Sequence, residues 1–216
     1  MHKKLTRWRT LLSRQLKCLA YNFHCPGEMS SLFPENSPYP QGFELISDFI
    51  TPDEETKLLE TVSDIPLHPF VFQGFEAKRK VASFGYDYHF DSKHLKKGQE
   101  IPAGLAPLIK KVSQQLNTAP GLFKEVLVTE YPPGAVINWH RDAPPFDVIA
   151  GISLGSGCIF RLRPYTKGTR DPKAVISFPV GRRSLYIISG EAREQWEHSI
   201  SPVRTTRFSI TLRTLR

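Results

Sequence analysis

A chain of 216 residues, 40% of them hydrophobic, is long enough for one domain with a substantial core. No apolar run approaches bilayer length, and three scattered cysteines (Cys18, Cys25, Cys158) form no CxxC pair; a soluble, cytoplasmic protein without structural disulfides or cysteine-held zinc is expected. The formal charge of +8 is uneven, with a purely basic start, an acidic middle and an Arg-rich final third, which suits an anionic ligand or partner as well as plain solubility.

Residues 1–40 form a basic N-terminal arm and a Pro-rich linker. Leu5, Trp8, Leu12 and Leu16 recur at helical spacing among Lys3, Lys4, Arg7, Arg9, Arg14 and Lys17, and Pro34, Pro38 and Pro40 follow. Three readings of this arm stay open: a nucleic-acid contact, an organelle or nuclear targeting segment, or an extension that packs on the domain. The domain proper starts at Gln41. Thr51 as N-cap, Pro52 at the first helical position and acids behind it predict a helix to about Val62. A second helix over 103–116 places Leu105, Leu108, Ile109 and Val112 on one face. Between the two, residues 67–90 read as short strands with loops. From residue 124 onward the pattern is β-rich, with strands predicted over 126–131, 146–154, 158–162, 174–178, 184–188 and 205–212. Helices first and short strands after predict an α+β chain with a jelly-roll core and the N-terminal helices packed outside.

The chemistry concentrates in the segment from Glu130 to Asp142. On an extended strand His140 and Asp142 share a face and Arg141 points away, giving a transition metal two adjacent ligands. HxD alone is equally met by a polar strand whose His bonds its Asp. A third ligand would come from elsewhere, and His198, ahead of the last strand, is the candidate. Two His and one carboxylate on one side of an octahedral ion leave positions open for a bidentate oxo-acid and O2. On the last strand, Arg207 and Arg213 are six apart and therefore face the same way. Either they are solvated on an edge strand, or they are buried and require an anion that a guanidinium fork can grip.

Tyr131, then HxD at His140 and Asp142, then the distal His198, then R-x5-R at Arg207 and Arg213 together resemble the AlkB-like Fe(II)/2-oxoglutarate-dependent dioxygenases. The resemblance implies that His140, Asp142 and His198 are the catalytic metal ligands. Tyr131 and Arg207 would hold the distal carboxylate of the 2-oxoglutarate cosubstrate, and Arg213 would lie at the metal-side carboxylate or steady Asp142. It implies Fe(II), 2-oxoglutarate and O2 as cofactors for a monomeric dioxygenase domain over 41–216. The implied reaction is oxidative demethylation of N-alkylated bases in DNA or RNA, releasing formaldehyde, succinate and CO2. The alternatives are a protein side-chain hydroxylase or demethylase of the same chemistry, acting on a protein substrate, and a non-enzymatic nucleic-acid-binding module. Lys78, Arg79 and Lys80 are the phosphate-contact candidates, and Tyr86 or Tyr88 the base-stacking candidates. Trp139 is expected in the core, and Arg193 is expected to order the loop before His198. Two positions depart from the better-known members: Thr129 stands where they carry Asn, and Pro144 where those acting on methylated bases carry an acid.

Overall fold

In the computed structural model, residues 37–72, 74–89, 92, 94–166, 171 and 174–216 are described. The amphipathic stretch expected in the arm lies outside the described residues. Helix α1 (Pro52–Ser63) starts where the sequence places it. The Thr51 side chain accepts from the Glu54 amide at 3.2 Å and Glu54 accepts from the Thr51 amide at 2.7 Å, a reciprocal cap contributing about 1 kcal/mol. The second predicted helix divides into a 3-10 turn (Ala103–Leu105) and α2 (Ala106–Gln115). No helix among the described residues is long and apolar enough to cross a membrane.

Among the described residues, twelve strands follow one another as β1 (Phe43–Ile46), β2 (His68–Phe72), β3 (Phe75–His89), β4 (His94–Lys97), β5 (Phe123–Tyr131), β6 (Ile137–His140), β7 (Phe146–Leu154), β8 (Cys158–Pro164), β9 (Ile176–Val180), β10 (Leu185–Ile188), β11 (Trp196–Ile200) and β12 (Arg207–Leu215). They form a large sheet, β1-β10-β7-β12-β5-β3-β2 with β4 on β3, and a four-stranded sheet, β6-β11-β8-β9. Every pairing between these strands is antiparallel, and the fold is the expected jelly roll.

Strand periodicity divides the core in two. On β12, Phe208, Ile210 and Leu212 join Leu58, Val62, Leu105, Leu108, Ile109 and Val112 under the helices. Full burial of each such side chain contributes about 1.5–3 kcal/mol. The opposite face of the large sheet meets the small sheet, where Tyr131, Ile149 and Tyr186 pack with Phe160, Leu162 and Phe178. Gly151 makes this second layer fit, since a Cβ there would lie 2.1 Å from the Tyr186 ring.

Several sequence expectations are corrected. Residues 67–90 are not short strands with loops. They form a hairpin whose second arm, β3, runs for 15 residues. It stays continuous because β5 pairs with it from Lys80 to Gly85, and Gly85 takes φ 80° at the end of that ladder. The strand expected at 174–178 begins two residues later, and the one at 205–212 extends to Leu215. Beyond those expected, β1, β4, β6 and β11 add strands too short or too polar to stand out. The last strand is central, between β5 and β7, so the edge-strand alternative for Arg207 and Arg213 falls away. Trp139 is half-buried on the outer side of the small sheet, with the guanidiniums of Arg163 and Arg161 at 4.2 and 5.0 Å from its ring. The inner side of β6 is taken by its alternating neighbours.

Candidate metal centre

His140 closes β6 and His198 sits in the middle of β11, and the two are direct register partners. Their rings lie 4.2 Å apart between centroids. Asp142 lies just past the end of β6, not within an extended strand, and the chain still brings its carboxylate to the same place. One ligand atom from each of His140, Asp142 and His198 falls within 4.8 Å of the others.

Each member is held from behind. The His140 Nδ1 lies 2.9 Å from the Asn138 carbonyl oxygen, so an Nδ1–H donates there and Nε2 is left as the lone-pair nitrogen. Phe160 stacks on the His198 ring at 5.5 Å and 7°. Arg213 donates from Nη2 to Asp142 Oδ1 at 3.0 Å and from Nη1 to Glu125 Oε2 at 2.7 Å. Arg193, in α3 (Gly190–Gln195), donates from Nη2 to the carbonyls of Asp142, Ala143 and Phe146 at 3.0, 2.8 and 3.0 Å. It therefore fixes the turn after Asp142, not the loop before His198.

The electrostatics prepare metal-binding protonation states. Burial, reinforced by neighbouring His140, lowers the His198 pKa to about 3, and burial also lowers that of His140. Burial works against the Asp142 carboxylate, yet Arg213 and the two imidazoles outweigh it and hold it below the ordinary carboxylate range. Burial likewise opposes the Arg213 charge, and Glu125 with Asp142 more than offsets it, raising its pKa. Two neutral imidazoles and an ionised carboxylate are the donor set a first-row divalent metal takes.

A cavity of about 150 Å³ opens beside the cluster, lined by His140, Asp142 and His198 and by Tyr131, Thr129, Glu125 and Arg213. Arg207 does not line this cavity; it is fully buried next to Tyr131, which does. Its Nε donates to Ser153 Oγ at 2.9 Å, and its guanidinium lies 4.9 Å from the centre of the Tyr131 ring, its register partner on β5. Nη1 and Nη2 have no hydrogen-bond partner among the described residues. A buried cation with two unspent donors fits a carboxylate, because leaving it unpaired is costly.

Of the residues proposed for substrate contact, Arg79 and Tyr88 line the cavity and Lys78, Lys80 and Tyr86 do not. Lys80 is paired with Glu130 at 3.2 Å. Arg79 stacks over Phe70 of β2 at 4.0 Å. Sequence reasoning missed Glu125, Tyr186 and Asp87. Glu125 had a signal: counting back from Tyr131 by twos passes Thr129 and Leu127 and lands on it, the strand face that lines the cavity.

The sequence profile of the 2OG-Fe(II) oxygenase superfamily matches residues 42–213, and the chain belongs to that family. Within it the chain is similar to AlkB-type proteins, and the family's chemistry uses Fe(II) and 2-oxoglutarate. It is 30% identical over 171 residues to the mouse (Mus musculus) tRNA (carboxymethyluridine(34)-5-O)-methyltransferase ALKBH8, covering 76% of this chain and 24% of that protein. The chain thus spans about a quarter of that relative's length. It is 31% identical over 189 residues to uncharacterized protein L905 of Acanthamoeba polyphaga mimivirus, covering 80% of this chain and 84% of that one. The solved structure of OsALKBH1 superposes with a TM-score of 0.65 at 15% identity, covering 82% of this chain and 99% of that one, a likeness of fold.

Proposed function

We propose that residues 41–216 oxidise N-alkyl groups on nucleic-acid bases, with 1–40 an appended basic arm. In this reading His140, Asp142 and His198 hold the iron. Arg207 and Tyr131 receive the distal carboxylate of 2-oxoglutarate, and Arg213 orients Asp142. The observation that carries the substrate half is the cavity wall. Phe70, Arg79 and Tyr88 put a cation and two aromatic rings on the wall of the cavity that reaches the cluster, with Arg79 over the Phe70 ring, the residue types that stack bases and meet phosphate. Phe72, Val71 and Phe75 extend the same hairpin as exposed apolar surface. The tRNA-directed name of the mouse relative supports a nucleic-acid substrate.

When bound, the iron and cosubstrate supply an O2-derived oxidant able to take hydrogen from a methyl group. The chain's own residues do the rest. Arg207 and Tyr131 fix the cosubstrate's orientation from its far end, and the apolar layer of Ile149, Phe160 and Tyr186 keeps water out. Burial keeps Tyr186 a neutral phenol, its pKa pushed up to about 12. No acid stands at Pro144, so carboxylates near the substrate come from the opposite wall, at Asp87 and Glu125. The test is formaldehyde release over a panel of N-methylated DNA, RNA and peptides with Fe(II), 2-oxoglutarate and ascorbate. Release from an oligonucleotide, matched by succinate, is the expected outcome; release from peptides alone would refute the substrate assignment.

A further inference from the structure

Glu125 is a carboxylate buried to 3% exposure that ligates nothing in the three-residue cluster. It faces Arg213 across the β5–β12 ladder, and the two bond at 2.7 Å. Among the described residues its other oxygen accepts only a long 3.3 Å contact from Ser83 Oγ of β3. Arg213 in turn reaches Asp142, so Glu125, Arg213 and Asp142 form a line that ends at the metal cluster.

The charge along that line is informative. Two neutral imidazoles bring none, Asp142 brings one negative charge, and Arg213 bonded directly to Asp142 cancels it. Asp142 and Arg213 together offer a divalent cation no net charge in a buried setting, where charge interactions are strong, and Arg193 on the Asp142 carbonyl adds a further positive charge. Burial pushes the Glu125 carboxyl up, against the pull of Arg213 bonded to it at 2.7 Å; when ionised, Glu125 returns one negative charge to the line while Arg213 keeps its grip on Asp142 Oδ1. We propose that Glu125 is a positioning residue of the metal site: it neutralises Arg213, so that Arg213 orients Asp142 without cancelling the charge that Fe(II) needs. This rests on the reading of His140, Asp142 and His198 as the iron ligands.

The alternative is that Glu125 merely fills Arg213's hydrogen-bonding capacity. E125Q separates the two, because the Gln amide oxygen still accepts from Arg213 while the charge is gone. Anaerobic Fe(II) titration of the apo-protein, without cosubstrate, gives the readout, with thermal unfolding of the apo-protein measured alongside. E125Q is expected to bind Fe(II) about 10–100-fold more weakly, the usual scale for groups behind the ligands, and E125D is expected to bind as the native protein does. E125Q/R213Q removes both charges, leaves that of Asp142 uncancelled, and is expected to recover most of the loss. That reversal of sign between single and double variants is one a packing role would not produce. Should E125Q fail to fold, the double variant is compared with the native protein: near-native Fe(II) binding is expected, and a loss of tenfold or more overturns the proposal. Native-strength binding in E125Q, or weaker binding in the double variant than in E125Q, overturns the proposal. H140A separates the two levels: retained Fe(II) binding there overturns the metal-site reading together with the proposal. Lost binding in H140A beside native-strength binding in E125Q overturns the proposal alone.

Discussion

Replacing Arg207 by Met should move stability and cosubstrate binding in opposite directions. Arg207 is fully buried, bonds Ser153 through Nε and lies against the Tyr131 ring, and its two Nη groups have no hydrogen-bond partner among the described residues. In the apo-protein that guanidinium is a buried, underused charge. A side chain of similar volume without it should be neutral or stabilising, by up to about 1–4 kcal/mol. With cosubstrate the sign reverses. Two charge-assisted hydrogen bonds to a carboxylate contribute about 1.5–3 kcal/mol each, so R207M should raise the 2-oxoglutarate requirement on the order of 10² to 10⁴-fold. The assay is thermal unfolding with Mn(II) as a redox-quiet metal, with and without 2-oxoglutarate. At about 100 times its Kd, 2-oxoglutarate should stabilise the native protein by about 2.7 kcal/mol, a rise of roughly 5–11 °C for a domain of this size. R207M should show an equal or higher apo midpoint and no such rise. A lower apo midpoint together with a full 2-oxoglutarate shift would refute the reasoning.

In metal-free protein, the depressed His198 pKa makes stability depend on acid. The folded chain resists the proton down to about pH 3, whereas the unfolded chain accepts it near 6.5. Stability should therefore fall as pH drops from about 6.5, by up to about 1.4 kcal/mol per pH unit for this group. Asp142 acts lower: its stabilisation, present above the unfolded value of 3.8, is lost only below that pH. Urea midpoints between about pH 6.5 and 4.5 thus separate His198 from Asp142, and H198N should flatten the slope; an unchanged slope would count against the assignment. G151A places a methyl 2.1 Å from the Tyr186 ring and should cost about 1–3 kcal/mol, read from its urea midpoint, and an unchanged midpoint would contradict the packing.

Much of the site was legible because strand periodicity is simple. R-x5-R needs only an even spacing to put Arg207 and Arg213 on one face, and the fold adds that the strand is central, which burial of both requires. His140 and Asp142 were legible for a partly different reason than alternation, since the strand stops at His140 and Arg193 holds the turn that carries Asp142. His198 could be reached only through the ordered set. Its strand, Trp-Glu-His-Ser-Ile, is polar and short, and its pairing with β6 is non-local. The helices were clear from capping and apolar spacing. The long β3 was not, because its Lys-Arg-Lys run reads as a solvated turn until β5 pairs with it. Lys78, Lys80 and Tyr86 looked like substrate contacts for their composition alone; only Arg79 and Tyr88 face the cavity.

The most direct test is an anaerobic visible-absorption titration of 2-oxoglutarate into the Fe(II)-loaded protein, run beside H140A and R207M. Chelation of iron by the oxo-acid should give a saturable charge-transfer band in the native protein with one iron per chain. H140A should give none, and R207M should give one only at far higher 2-oxoglutarate. A native protein that stays colourless, or an H140A variant that develops the same band, would contradict the assignment of His140, Asp142 and His198 as the iron site.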